Sequence, residues 1–204
     1  MFVEADPYPW PYDGGLVADR LALVICGAQR WFYSRTAQPS DALDRVARIA
    51  SLMRPTGASI VAVRHGSDHH HQGRPVLPLV GSSDYQLIIE ASAVDTLIDA
   101  AGIDAFYGSN IDAYFRARGI DTLIVVGLGL EGPIHSTLRS ANDRGYECLV
   151  IADAAAPHDP SLVRAALSSI AFSGGIFGAF APTAAVIAAF TETAHPPTYS
   201  GALP

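Results

Sequence analysis

Short, unbroken apolar runs recur along this chain, and they constrain its fold more than any other feature. Leu21-Ala22-Leu23-Val24-Ile25-Cys26 is the first; residues 58–63, 122–126 and 147–152 are of the same kind. None alternates apolar with polar residues, so each reads as a strand covered on both faces. Residues 96–98 and 176–180 read as two weaker strands. Between them lie segments with helical spacing. Residues 42–53 follow Ser40 as an N-cap and close at Pro55 and Gly57; residues 110–118 end at Gly119. Further helices are expected over 134–144, 161–171 and 183–190. Strands alternating with helices predict βαβ units, hence a Rossmann-like α/β fold with a parallel sheet and helices on both faces.

No linker interrupts this alternation, and 204 residues suit one domain. The expected division is an N-terminal arm (1–18), one α/β domain (19–193) and a C-terminal tail (194–204). All 13 basic residues are Arg, so no side-chain amine is present for a Schiff base, a Lys acid or base, or a phosphate-loop Lys. A net charge of −7 argues against nucleic acid or an anionic membrane surface as partner. The two cysteines, Cys26 and Cys148, have no metal-finger or disulfide-framework spacing. The opening fifteen residues are acidic and Pro-rich, unlike a secretion signal. The expected location is therefore a reducing cytoplasm. No apolar run has the length of a membrane span.

In parallel sheets ligands bind beyond the carboxyl ends of the strands. That directs attention to residues 26–29, 64–65, 99–106, 127–133 and 153. Gly127-Leu128-Gly129-Leu130-Glu131-Gly132 lacks the register of a phosphate loop and reads as an ordinary strand-to-helix turn.

Four segments carry a resemblance. They are Pro-Tyr-Pro-Trp-Pro-Tyr-Asp-Gly (7–14), Gly-Ile-Asp-Thr-Leu-Ile-Val-Val-Gly (119–127), His-Ser-Thr-Leu-Arg-Ser-Ala-Asn-Asp-Arg-Gly-Tyr-Glu-Cys-Leu (135–149) and Gly-Gly-Ile-Phe-Gly-Ala (174–179). Together the chain resembles the isochorismatase-like cysteine hydrolases, nearest the subgroup of biuret and ureidoacrylate amidohydrolases. The resemblance implies a six-stranded parallel sheet, a dimer or tetramer, and an Asp-Lys-Cys triad. At the matching positions this chain carries Cys26 for the Asp, Ala100 for the Lys and Pro133 for the Cys, and Ser173 stands where the subgroup has a Gln.

The chemical consequences are direct. In the family the helix N-terminus and the Lys favour a thiolate, the Asp acts as base, and backbone N–H groups hold the oxyanion. Pro133 supplies neither thiol nor N–H. Cys26 removes the base and Ala100 the cation. Losing all three leaves no route for the family's hydrolysis. The implied pocket is formed by Cys26, Gln29, Arg64, His65, Phe106, Leu128, Leu130, Glu131, Pro133, Ser173 and Phe177. No cofactor or metal is expected; His65, His69 and His71 are the ligands a metal would use, and consecutive histidines on an extended loop point in different directions. His135 is expected to pack or hydrogen-bond, and Asp153 to cap the turn after its strand.

The expected function is thus a pseudoenzyme of hydrolase fold. It would bind a small molecule or partner an active paralogue, as a homo-oligomer or hetero-oligomer. The alternatives are an active hydrolase of C–N bonds in amides or ureides, or altered chemistry built on Cys26 or on the 65–71 loop. The pocket discriminates: an open polar cavity around Cys26 favours chemistry, and one filled by Leu128, Leu130, Pro133 and Phe106 favours a structural role.

Overall fold

The computed structural model describes residues 1–68 and 76–192. Six parallel strands form one sheet in the order β3-β2-β1-β4-β5-β6. They are β1 (Leu21–Cys26), β2 (Ser59–His65), β3 (Thr96–Ala100), β4 (Thr122–Leu128), β5 (Glu147–Ala156) and β6 (Ala179–Ala181). The sheet and flanking helices are those the apolar runs predict. Every residue of β1 is buried, as a central strand with both faces covered requires.

Helices lie on both faces. They are α1 (Arg30–Tyr33), α2 (Pro39–Met53), α3 (Ile111–Ala117), α4 (His135–Asp143), α5 (Val163–Ile170), the kinked turn α6 (Phe172–Gly175) and α7 (Thr183–Glu192). Alternate residues of β1 separate two apolar layers. Ala22, Val24 and Cys26 join Phe115, Leu138 and Ile170 on one side. Leu21, Leu23 and Ile25 join Val46, Ile49 and Met53 of α2 on the other. This period of two is the pleat of the strand expressed as packing. Among the described residues no helix is long and apolar enough to cross a membrane.

Several boundaries differ from expectation. Helix α2 starts at Pro39 behind Gln38, and the Ser40 hydroxyl meets Tyr33 Oη at 2.9 Å instead of capping the helix. Proline suits a first helical position because the N–H it lacks has no partner there. Strand β6 is shorter and later than 176–180, because Gly178 has φ of 119° and its Cα lies against the Cys148 carbonyl, leaving no room for a side chain. Asp153 serves α7: its Oδ1 accepts from Thr183 N (2.8 Å) and Oγ1 (2.9 Å), and Arg45 approaches its other oxygen. The arm pairs with the β6 edge through reciprocal backbone bonds of 2.9 Å between Asp6 and Phe180. The tail, 194–204, lies outside the described residues.

Candidate functional site

Across the sheet, β3, β2, β1 and β4 end in Ala100, His65, Cys26 and Leu128. His65 is in register with Ala100, and Cys26 with Val63 and Gly127. Strand pairing thus brings these strand-end residues side by side. All four are buried.

Cys26 is fully buried and packs in the same apolar layer as Ala100, Ala105, Leu130 and Ile134. Its Sγ contacts Thr137 Oγ1 at 3.9 Å, and that hydroxyl also accepts the Ala105 N–H at 3.0 Å. Burial pushes the thiol up to about 12; the Thr137 contact lowers it and the Asp104 charge raises it further. At neutral pH the group is a neutral thiol without a basic partner. Thr137 was not singled out in the sequence, although it stands four residues after Pro133, one helical turn on.

Pro133 lies inside a π-turn spanning Leu130–Ile134, not at the first position of the following helix. The cause is its missing N–H. The bond that residue 133 would make to Gly129 O is taken by Ile134 N instead, at 3.3 Å, which widens the turn by one residue. Gly129 permits this with φ of 85°, and a Cβ there would lie 2.8 Å from Pro133 Cδ.

His65 donates Nδ1–H to Gly102 O at 3.1 Å, which leaves Nε2 as the lone-pair nitrogen. Nε2 is buried without a partner and makes no hydrogen bond to Cys26. Desolvation holds the ring down to about 4, so it stays neutral. Phe32 lies edge-on to it at 5.9 Å and stacks on His158 at the same distance on another side. Glu131 uses Oε1 to accept the Asp159 N–H at 2.7 Å, and its Oε2 is buried without a partner. Neither side chain is a base in contact with Cys26.

Gln29 is a rivet. Its Oε1 accepts His65 N–H (2.8 Å), while Nε2 donates to His65 O (3.1 Å) and Tyr85 O (3.0 Å). Arg64 donates two bonds to Asp99, of 2.7 and 2.9 Å, and lies over the Tyr85 ring. That guanidinium holds the Asp99 carboxyl below its usual range. Phe106 packs on Phe115 and Tyr146, and Leu128 on Trp31, Phe32 and Leu77.

Ser173 and Phe177 are not brought to this cluster. Ser173, at a left-handed φ of 55°, lines a groove of about 500 Å³ at the amino ends of β4 and β5. There Tyr8 Oη and Tyr12 N both donate to Glu147 Oε1. Phe177 lies beneath Arg139 on α4, and Arg139 in turn donates to His135 Nδ1 at 3.3 Å. A hollow of about 320 Å³ beside β3 touches Ala100, Tyr85 and Asp99, but not Cys26, His65 or Pro133. Among the described residues no three His, Cys, Asp or Glu side chains are placed to hold a metal. His69 and His71 lie outside the described residues.

The order of the strands and the position of this cluster define a parallel α/β protein with its candidate site at the strand carboxyl ends. The isochorismatase domain model matches residues 21–185, and the chain belongs to that family. It is 37% identical over 93 residues to the ureidoacrylate amidohydrolase of Methylobacterium radiotolerans, covering 44% of this chain and 36% of that protein. To the corresponding amidohydrolase of Methylorubrum extorquens strain AM1 it is 26% identical over 207 residues, covering 82% and 81%. A solved cysteine hydrolase from Pseudomonas syringae pv. phaseolicola 1448A superposes with a TM-score of 0.76 at 21% identity, covering 94% of this chain and 98% of that one.

Proposed function

We propose that this chain is a member of the isochorismatase family without the family's hydrolytic chemistry, acting by binding instead of bond cleavage. One observation carries the proposal. The three positions that the resemblance assigns to base, cation and nucleophile hold a buried neutral thiol, an alanine and a proline. An acyl transfer needs an activated nucleophile and donors for the oxyanion. Cys26 has a hydroxyl for a neighbour and no base, and Pro133 has no N–H to give. Leu128, Leu130, Pro133 and Phe106 are buried around the strand ends, which supports a packed site over an open one. The rival reading, a new nucleophile at Cys26, requires a solvent-connected thiol beside a base, and the geometry supplies neither.

The test uses protein from a host lacking active homologues, assayed for ammonia release from amides and ureides. Wild type is expected at background. Cys26→Asp with Ala100→Lys and Pro133→Cys is expected to exceed it, with single changes remaining near background because the three act as a unit. Turnover by wild type that disappears in Cys26→Ala would overturn the proposal. Binding is read separately by thermal shift with ureides, amides and carboxylates, since a ligand of the native state raises stability.

A further inference from the structure

At the amino ends of β4 and β5, the end of the sheet away from Cys26, the arm borders a groove of about 500 Å³. That is the size of a small-molecule pocket. Its walls are held in place by the fold. Trp10 is fully buried and exchanges backbone bonds of 2.7 and 2.9 Å with Val3, which anchors Pro11 and Tyr12 beside the groove. Another wall is the left-handed turn at Ser173 and Gly174. A Cβ on the next residue, Gly175, would lie 2.4 Å from Tyr8 Cε1, so ring and turn meet only because that residue is glycine.

The groove is unbalanced in charge. Asp13, Asp121 and Glu147 line it against one guanidinium, Arg20, which is already paired with Asp121. Glu147 receives Tyr8 Oη at 3.0 Å and Tyr12 N at 3.2 Å, both on Oε1. Among the described residues none donates a hydrogen bond to Oε2. The Tyr8 and Tyr12 rings meet edge to face, with centroids 5.1 Å apart. Tyr12 is 68% exposed, and Val17 and Ile176 line the same groove at 47% and 49%. A free carboxylate oxygen and an open aromatic face both attract a cation, and exposed apolar side chains attract the carbon stem that carries it.

We propose that this groove binds a small organic cation, an alkylammonium, whose head donates to Glu147 Oε2 beside the tyrosine rings and whose stem covers Val17 and Ile176. A bare metal ion suits the groove less well. Hard cations take six or more oxygen ligands, and much of this lining is aromatic or aliphatic. An anion is disfavoured by the excess of carboxylates over the single, already paired Arg20. The site is independent of the proposed function, since neither Cys26 nor His65 lines the groove.

Backbone amide shifts of the isotope-labelled full chain, followed by NMR during titration with n-butylammonium chloride at neutral pH, test this. Saturable shifts are expected at Tyr12, Glu147 and Gly174. Sodium chloride at matched ionic strength supplies a cation without a stem, and n-butanol at matched concentration supplies a stem without a charge. Neither is expected to give saturable shifts there. Glu147→Gln is expected to weaken binding about tenfold or more, the range for losing a charged hydrogen-bond partner. Tyr12→Ala is expected to weaken it about two- to fivefold, the range for an exposed cation–ring contact. The Tyr12 side chain is largely exposed, so its removal spares the fold and carries the test alone if circular dichroism shows that Glu147→Gln unfolds. Butylammonium shifts no larger than those of sodium chloride, equal shifts with butanol, or an affinity that either folded variant leaves unchanged would overturn the proposal.

Discussion

The strand-end cluster makes a quantitative prediction about Cys26. The perturbation is a thiol reagent added to the Cys148→Ala variant, which leaves Cys26 as the sole thiol. Cys148 is itself buried in β5, and its replacement removes one sulfur atom from the core. An ordinary thiol near 8.5 is about one-quarter ionised at about pH 8, whereas one at about 12 is ionised in about one molecule in ten thousand. Ionisation alone therefore slows labelling by roughly three orders of magnitude. Full burial adds a second barrier, because the reagent reaches Sγ only after local or global opening. The assay is release of a coloured thiolate from an aromatic disulfide reagent, with and without denaturant. Essentially no labelling is expected in native buffer, and one thiol per chain after unfolding. Native labelling at the rate of a small free thiol would refute the reasoning. It would place Cys26 against solvent, and the packed reading of the strand ends would fall with it.

Two further predictions follow from neighbours of Cys26. Gln29→Leu removes the three hydrogen bonds that tie the start of α1 to β2 and the Tyr85 segment and leaves buried backbone groups without partners; urea titration is expected to show a loss of about 3 kcal/mol. For His65 the folded value of about 4 lies below the ordinary 6.5. The unfolded chain therefore takes up a proton first as pH falls, and stability contributed by the neutral ring is present above about 6.5 and lost down to about 4, by roughly 3 kcal/mol. Urea titrations across that window are expected to show the loss in wild type and a flatter profile in His65→Leu.

The central strands were legible because burial on both faces leaves an unmistakable apolar run. The carboxyl end of β1 falls at Cys26 as read, whereas those of its neighbours run further. β2 continues through Arg64 and His65, β4 through Gly127 and Leu128, and β5 through Asp153 to Ala156. Polar, glycine and alanine residues carry little strand signal, and only pairing with the neighbouring strand holds them extended. The site shows the same division. Cys26 and His65 end their strands, and Gln29 and Glu131 follow theirs within three residues, where topology places a site. Ser173 and Phe177 followed from a motif instead of from topology, and the left-handed turn at Ser173 and Gly174 takes them elsewhere. The position of Pro133 in a π-turn depends on a hydrogen bond to Gly129 that no single-residue pattern contains. Thr137 carried no signal of its own, since a hydroxyl within a helix is usually bonded locally.

On the proposed function, the residues at the three positions that the resemblance assigns to the triad would form one physical change. Cys26 and Ala100 belong to a single apolar layer with β2 between their strands. A carboxylate at 26 in that layer would be stripped of water, and a cation at 100 is the group able to offset it. Removing one member of such a pair leaves the other as an uncompensated buried charge, typically destabilising by about 3–5 kcal/mol. Once either is gone, replacing the second by a neutral side chain relieves that cost. Pro133 would complete that change: with no N–H to direct at an oxyanion, it leaves no donor there to be satisfied when ligand is absent. Under the proposed function, a site that must stay open, charged and partly unsatisfied would be converted into one that can pack. On that reading, the unpartnered His65 Nε2 and Glu131 Oε2 would be the two places in this cluster where the conversion is incomplete.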